Sequence, residues 1–402
     1  MKLRTLTLLA CAALCLPLAG CKAPVLAWFF VPADDSVFGT TIEATADGGL
    51  LMGGGYPSTY GMYTVKLSGF GDVQWTQAFS NRTPDSNNSE LWRQEASGAR
   101  QTPDGGFVYL GAGHFYRDEL PEKSYLLVKT GATGAIEWSR AYAPVNPYDA
   151  DGDLCATNKP AALQVTADGG YVAFGSSYVG GVSLASILKT DAAGNVEFHK
   201  VINDQSREVE ELIEAGQQTA DGGYILAGHG SGDHGYAAVL IKLDAAGNLE
   251  WSRTYQDTAD GYGAEAYAVV QTSDGGYVMG GELINNITKA LIHGCWMAKV
   301  DANGDSVWFR RYDSGETVQL PYALAETPQG DLVAAGGDTV GKPLLSKLTA
   351  GGAVIWNFTD ERLPGATGKA VALTADGGCA VTASGISSGT VVFKVANVFP
   401  VE

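Results

Sequence analysis

Short apolar runs separated by polar, glycine-rich segments make up most of the chain. Runs such as Tyr224-Ile225-Leu226-Ala227 begin directly after a Gly-Gly pair and end within a few residues. Beyond the first twenty residues, no long segment has apolar residues at the 3.6-residue spacing of an amphipathic helix. The pattern therefore predicts an all-β protein built from short strands that tight turns connect.

One turn sequence recurs seven times, at intervals of about 55 residues. It is Asp-Gly-Gly in six copies and Gln-Gly-Asp in the other, and its first residue stands two positions after a threonine. Each turn leads into an apolar run, and a second run then ends in a lysine. The first turn residues are Asp47, Asp104, Asp168, Asp221, Asp274, Gln329 and Asp376. The lysines are Lys66, Lys129, Lys189, Lys242, Lys299, Lys347 and Lys394.

A second turn follows the lysine and leads to a run that carries an aromatic residue. Glycine in both turns allows a positive φ, and Asp or Asn beside it bonds to the local backbone, so both predict β-hairpins. Repeat seven stops after its lysine, whereas Trp28, ahead of repeat one, has the register of the missing aromatic. The other six are Trp75, Trp138, Phe198, Trp251, Trp308 and Trp356.

Each repeat thus predicts four antiparallel strands, and the offset between the two chain ends predicts a closed ring. A ring needs a fourth strand at the start of the chain to cover its edges, whereas an open array does not. The fold class is therefore all-β, a seven-bladed β-propeller whose seventh blade is completed by an N-terminal strand.

Over residues 25–399 the repeats resemble the Asp-Gly-Gly, Val-Lys-Leu-Asp, Gly-Asn, Trp propeller repeats of bacterial lipoproteins and of secreted or surface proteins. They are loosely similar to quinoprotein-type repeats as well. The resemblance implies the fold and says little about activity.

Residues that recur in every repeat are interpreted as structural. The aromatic residues are expected to be core wedges between neighbouring blades. The lysine and the turn aspartate lie near the same end of adjacent strands, which predicts an ion pair or hydrogen bond in most blades. Repeat six, with Gln329 in place of the aspartate, is expected to have the weakest such contact.

The strand order assigns the connections to two rims. If the first strand is innermost, the tight turns of every blade share one rim, which we call the turn rim. The longer loops between the second and third strands and between blades share the opposite rim, the loop rim. Loops on rigid scaffolds carry many binding sites, and aromatic residues are frequent in interface hot spots. The predicted binding residues of the loop rim are Trp92, Phe115, Tyr116, Tyr148 and Tyr236.

The first twenty residues are interpreted as a targeting signal. Two basic residues precede an apolar run from Leu6 to Leu18 that is too short to span a bilayer as a mature helix. The run ends in Leu-Ala-Gly-Cys21, which resembles the bacterial lipobox and implies cleavage before Cys21 and acylation of that cysteine. A secretory signal with a chance cysteine is the alternative.

Processing at Cys21 would divide the chain into a cleaved signal (1–20), a lipid anchor with a short tether (21–24) and the propeller (25–402). We expect the protein at the bacterial cell envelope, in the periplasm or at the surface, with the outer membrane favoured. Removal of the signal takes away two basic residues and changes the net charge from −18 to −20. Attachment would therefore depend on lipid and not on charge.

Composition excludes several classes of protein. The chain is 45% apolar and 17% charged, which is typical of folded proteins. An acidic net charge without a Lys/Arg cluster argues against nucleic acid as a partner. The three later cysteines, Cys155, Cys295 and Cys379, are far apart and are interpreted as buried small side chains, with one optional disulfide.

Two segments have metal-ligating residue types. Asp149, Asp151 and Asp153 alternate as in a calcium loop, although the glycine and glutamate that such a loop requires further on are missing. A solvated acidic loop is the alternative. The imidazoles of His229 and His234 lie among glycines, and this segment is interpreted as a flexible loop between strands because nothing orients ligands there. No other cofactor is predicted.

The expected function is that of a lipid-anchored binding or scaffold module for a protein or glycan partner, acting as a monomer. The alternative is a propeller enzyme, either a quinoprotein-like dehydrogenase or a carbohydrate-active enzyme. The second of these requires two carboxylates that face one cleft.

Overall fold

The computed structural model shows an all-β protein. Among the residues that it describes, none forms a helix of the length and apolarity that a membrane span requires. Those residues are 23–32, 37–56, 61–79, 96–117, 120–144, 156–179, 182–202, 211–232, 235–256, 262–285, 291–312, 321–337, 341–360, 366–385 and 389–401.

The strands form seven sheets of four antiparallel strands each, the blades of a propeller. The first strand of each blade lies at one edge of its sheet, beside the second strand. The first strands are β2 (Phe38–Ala44), β6 (Gly98–Gln101), β10 (Ala156–Val165), β14 (Glu211–Gln218), β18 (Tyr262–Gln271), β22 (Ala323–Glu326) and β26 (Thr367–Leu373). The second strands are β3 (Leu50–Tyr56), β7 (Phe107–Arg117), β11 (Tyr171–Val179), β15 (Tyr224–Gly232), β19 (Tyr277–Asn285), β23 (Leu332–Gly337) and β27 (Cys379–Gly385).

The third and fourth strands complete each blade. The third strands, which end at or just after the repeated lysine, are β4 (Gly61–Leu67), β8 (Leu120–Thr130), β12 (Val182–Thr190), β16 (Gly235–Leu243), β20 (Leu291–Val300), β24 (Pro343–Leu348) and β28 (Gly389–Ala396). The fourth strands are β5 (Val73–Phe79), β9 (Ile136–Tyr142), β13 (Val196–Ile202), β17 (Leu249–Tyr255), β21 (Ser306–Tyr312), β25 (Val354–Thr359) and, for blade seven, β1 (Val25–Phe30).

The blades form a closed ring, as the sequence predicts. Each first strand contacts the first strands of both neighbouring blades, and β26 of blade seven contacts β2 of blade one, so the first strands surround the axis. The N-terminal strand β1 pairs with β28, and Trp28 lies opposite Lys394. The repeated aromatic and lysine of the other six blades are paired in the same way.

A hydrophobic cluster lies at each of the seven blade interfaces, and each cluster includes one of the repeated aromatics. The sequence predicts that these aromatics are core residues, but the structure shows them half-buried. The reason is that the fourth strand is the outermost and one of its faces meets solvent. In blade seven and in blades one to five, the aromatic side chain covers a positive-φ glycine in the second turn of the next blade. Trp28 over Gly71 and Trp251 over Gly304 are examples, and a Cβ on these glycines would lie 2.7 and 3.0 Å from the indole ring.

The predicted ion pair of lysine and turn aspartate is present, and blade three illustrates it. The Lys189 ammonium, 2% exposed, lies 2.9 Å from Asp168 Oδ2 and 3.2 Å from Glu197 Oε2. The Thr166 hydroxyl donates to Asp168 Oδ1 at 2.5 Å. Partial burial raises the pKa of Asp168, but the hydrogen bonds from Thr166 and Lys189 outweigh it and lower the pKa to about 2. The repeated threonine thus orients the carboxylate that neutralises a buried cation.

Blade six corrects one expectation. Gln329 does not leave its lysine with a weakened contact, because Asp331, two residues later, takes the place of the turn aspartate. The Lys347 ammonium lies 2.9 Å from Asp331 Oδ2, the same distance as in blades one to four. Asp331 follows the positive-φ Gly330, so the turn is unchanged and only the position of the carboxylate differs.

Cys295 and Cys379 are completely buried thiols within the blade interfaces, as expected of small apolar side chains. Burial raises the pKa of the Cys379 thiol well above its ordinary value, which keeps it protonated. Cys155 lies outside the described residues.

Candidate functional site

One residue at the same position of each repeat lies at a local irregularity, either within the first strand or immediately before it. In five blades a β-bulge interrupts the pairing of the first and second strands. In blades two and six the equivalent residue immediately precedes the strand. All seven lie five residues before the repeated threonine, and we call them the bulge ring: Thr40, Ser97, Ala161, Glu214, Tyr267, Tyr322 and Lys369.

A second set of glycines makes room for the bulges. Nine residues after the threonine stands a glycine in six of the seven repeats, opposite the bulge on the second strand. A Cβ on Gly228 would lie 1.9 Å from the Leu212 carbonyl oxygen, and one on Gly281 would lie 1.8 Å from that of Glu265. The bare Cα therefore permits the close approach of the two backbones. This spacing is the signal in the sequence from which the bulge ring could have been found.

Blades four to seven contribute large side chains to the bulge ring, and blades one to three contribute small ones. The rings of Tyr267 and Tyr322 stack with centroids 5.1 Å apart and an interplanar angle of 24°. The Lys369 ammonium lies 3.9 Å from the centroid of the Tyr322 ring, within the range of a cation–π contact. All three side chains are half-buried. These three side chains, which we call the arc, are thus preorganised by contacts with one another.

The arc borders a cavity of about 380 Å³ at the mouth of the axial channel. The first strands start at the loop rim, and the cavity lining includes Phe38, the first residue of β2, and Tyr322, which immediately precedes β22, so the cavity opens toward that rim. We call it the channel mouth. Its lining is Phe38, Gly39, Thr40, Glu214, Tyr267, Tyr322, Lys369 and Ser384.

Two glutamates lie behind the arc. Glu265 and Glu282 are paired across β18 and β19, and the Tyr267 hydroxyl donates to Glu265 Oε2 at 2.5 Å. Burial, together with the neighbouring charge of Glu265, raises the pKa of Glu282 to about 7. Burial and the hydrogen bond to Glu265 raise the pKa of Tyr267 far above its ordinary value, so the phenol stays protonated. The cluster can therefore hold one exchangeable proton near neutral pH.

The loop rim and the channel mouth are connected by ring contacts. Tyr236, 36% exposed, lies with its ring centroid 6.2 Å from that of His229, and His229 lies 6.5 Å from Tyr267. A row of rings thus leads from a predicted binding residue of the loop rim to the Tyr267–Tyr322 stack. The row also corrects the interpretation of His229, which lies buried in β15 and not in a flexible loop, 3.8 Å from Glu265.

The other predicted site residues fall elsewhere. Phe115 and Tyr116 lie near the end of β7, at the loop-rim end of blade two, and their side chains are outside the described residues, as are Trp92 and Tyr148. The calcium candidates Asp149, Asp151 and Asp153 and the lipidation candidate Cys21 also lie outside them. Within the described part of the chain, no group of three or more His, Cys, Asp or Glu residues is arranged to hold a metal ion.

The cavity offers both apolar surface and hydrogen-bonding groups. Phe38, Tyr267 and Tyr322 supply ring surface, Lys369 supplies a donor, and Glu214 supplies an acceptor. Glu214 is oriented by Lys159, whose ammonium lies 2.7 Å from Oε1. Such a combination is suited to holding a small polar ligand or a projecting group of a partner.

No protein-family model matches the chain, and neither does any curated protein. Solved structures share its fold. The polysaccharide lyase Uly1 is similar with a TM-score of 0.56 and 10% sequence identity, over 92% of each chain. The lectin BP39L from Burkholderia pseudomallei is similar with a TM-score of 0.55 and 10% identity, over 91% of this chain and 97% of the lectin. At such identities the likeness shows the propeller fold alone.

Proposed function

We propose that this protein is a lipid-anchored propeller of the bacterial cell envelope that binds a protein or glycan partner at its loop rim and channel mouth. The observation that carries the binding role is the asymmetric arc of the bulge ring. Positions that hold the blades together have the same chemistry in nearly every blade, whereas this position changes from Thr to Glu, Tyr and Lys. A purely structural role would not require that variation.

The energetics of the arc support the same proposal. Ordering two tyrosines and a lysine at the edge of a cavity costs side-chain entropy, and partial burial of the Lys369 charge costs solvation. Neither cost is needed to close the ring, because blades one to three close it with Thr, Ser and Ala at the same position. A ligand that contacts the arc would give these side chains a use.

Anchoring is proposed from the sequence around Cys21 and is tested in the intact chain. The protein and its Cys21→Ser variant are produced in a bacterium supplied with a clickable palmitate analogue, and the membranes are fractionated. We expect label and outer-membrane recovery for the wild type and neither for the variant. Label that persists in the variant would contradict the anchor.

Partner binding is tested with the full-length protein in detergent, mixed with purified envelope polysaccharides, peptidoglycan and outer-membrane proteins. We expect saturable binding to one of these components. Absence of saturable binding to all of them would overturn the binding role.

A carbohydrate-active enzyme is the second candidate, and the Glu265–Glu282 pair favours it. Adjacent carboxylates, one of which holds a proton near neutral pH, are a frequent arrangement for acid–base chemistry. Of the two solved structures reported above, one is a polysaccharide lyase and the other is a lectin. Proteins of both kinds therefore use this fold. Release of oligosaccharides from a bound polysaccharide, abolished in Glu282→Gln, would support catalysis.

A further inference from the structure

The polar groups at the channel mouth are mostly acceptors. The Thr40 hydroxyl donates to the Ala96 carbonyl oxygen, and the Ser384 hydroxyl donates to that of Gly39 at 2.6 Å. Both hydroxyl protons are therefore committed, and the oxygen lone pairs are left to accept. The Glu214 carboxylate adds further acceptor sites, and the Lys369 ammonium and the Tyr322 phenol supply donors. A complementary ligand is rich in hydroxyl donors.

The lining carries one side chain of each charge type. Lys369 and Glu214 lie on opposite sides of the tyrosine stack in the bulge ring, and the Glu214 carboxylate also pairs with the Lys159 ammonium, 2.7 Å away. An anionic ligand would meet Glu214 and the glutamates behind Tyr267, in a protein that already has an excess of acidic residues. A cationic ligand would meet Lys369. An uncharged ligand avoids both repulsions.

Three aromatic rings supply the remaining surface. Phe38 belongs to blade one, and Tyr267 and Tyr322 belong to blades five and six, so the rings approach the cavity from different sides of the axis. Aromatic rings favour contact with the C–H surface of a ligand, because the ring face carries partial negative charge. A ligand that combines C–H faces with a rim of hydroxyl groups is a sugar ring.

We infer that the channel mouth is a binding site for an uncharged saccharide, whose C–H faces contact Phe38 and the tyrosine stack and whose hydroxyls pair with Glu214, Lys369, Thr40 and Ser384. This inference rests on the proposed binding function and specifies its ligand class. The cavity volume of about 380 Å³ suits a terminal mono- or disaccharide unit better than a long chain.

The test is isothermal titration of the full-length protein with neutral hexoses, N-acetylhexosamines and their disaccharides, alongside uronic acids and diamines. We expect a neutral saccharide to bind with little dependence on salt. Tyr322→Ala should weaken that binding about tenfold, and Glu214→Gln about threefold, because each removes one contact. Phe70→Ala is the matched control, since Phe70 is 86% exposed on the turn rim and should bind as the wild type does.

The remaining outcomes overturn the inference in distinguishable ways. Binding of uronic acids alone, lost in Lys369→Met, or of diamines alone, lost in Glu214→Gln, would assign a different ligand class. Neutral saccharide binding that survives in both Tyr322→Ala and Glu214→Gln would place the site elsewhere and leave the proposed function intact. Absence of binding to every sugar, while an outer-membrane protein still binds, would reject the saccharide site alone. Thermal melts identify any variant that does not fold. If Tyr322→Ala does not fold, the binding affinity of Glu214→Gln alone tests whether the saccharide lies in the channel mouth.

Discussion

The turn rim and the channel mouth are built from the same seven repeats but use charge in opposite ways. At the turn rim the repeated lysine, buried in six of the seven blades, meets a carboxylate in every blade, and hydrogen bonding lowers the pKa of several of these aspartates to about 2. Behind the channel mouth, Glu265 and Glu282 of one blade are paired on adjacent strands, and burial with the neighbouring charge of Glu265 raises the pKa of Glu282 to about 7. The ion pairs that occur in every blade thus stabilise the ring, whereas the glutamate pair that occurs in one blade reduces its stability.

The largest difference between the two regions is expected when a substitution prevents a bulge at the channel mouth from forming. Gly228→Val should destabilise the protein by about 3 kcal/mol or more, because its Cβ would overlap the Leu212 carbonyl oxygen and force two strands apart. Gly351→Val, at a turn-rim glycine whose Cβ would meet only Thr349 Oγ1 at 3.8 Å, is the control. Chemical denaturation measures both, and equal losses would contradict the role of the close backbone approach.

The cost of the paired glutamates should be visible as a pH dependence. The folded state holds the proton of Glu282 more tightly than the unfolded state, whose pKa is near 4.5. Its contribution to stability is therefore complete below pH 4.5 and is lost as pH rises to about 7, a change of about 3 kcal/mol. Glu282→Gln should remove this loss and be more stable than the wild type at pH 8.

The same titration contains an internal control. The turn aspartates stabilise the fold above pH 3.8, and this stability is lost as pH falls toward 2. Glu282→Gln should leave that acid limb unchanged, and stability profiles that are parallel across the whole pH range would contradict the assignment of the upper limb to Glu282.

Loss of one lysine–aspartate pair at the turn rim should change the free energy of unfolding somewhat less than the titration of Glu282 does. Asp168→Asn removes the hydrogen-bonded counter-charge of a buried ammonium, and we expect a loss of about 2 kcal/mol, tempered by the retained Glu197. Asp191→Asn, at the exposed second turn of the same blade, should cost clearly less. Thermal unfolding at pH 7 compares them, and a larger loss in Asp191→Asn would invert the interpretation.

The smallest change in stability is expected for the lysine of the channel mouth, which can be compared with a lysine of the turn rim. Lys369→Met at the channel mouth should change stability by less than about 1 kcal/mol, because it removes one cation–π contact of a half-buried side chain. Lys189→Met, in a buried ion pair, should cost more. A reversed order in denaturant titrations would show that the channel lysine is structural.

What repeats in the chain could be predicted, and what does not repeat could not. The blade number, the closing strand at Trp28 and the lysine–aspartate pairs were all visible as recurring residues. The bulge ring was missed because its members share a position and not a side chain, so Thr40, Tyr267 and Lys369 show no common pattern. Its only mark is the glycine nine residues after the threonine in six of the seven repeats, whose role depends on a contact with another strand. The shift from Gln329 to Asp331 was missed for a related reason, since either turn position can reach the lysine.

The pairing of β1 with β28 has a consequence for how the protein is made. The first of these strands is synthesised before the seven repeats and the second at the end of repeat seven, so hydrogen bonds between them form only after the intervening repeats have been translated. Bringing such distant segments together carries a large loop-closure entropy and is a slow step. During synthesis the unpaired edge of β1 remains exposed to other chains, and the final strand is the one whose arrival ends that exposure.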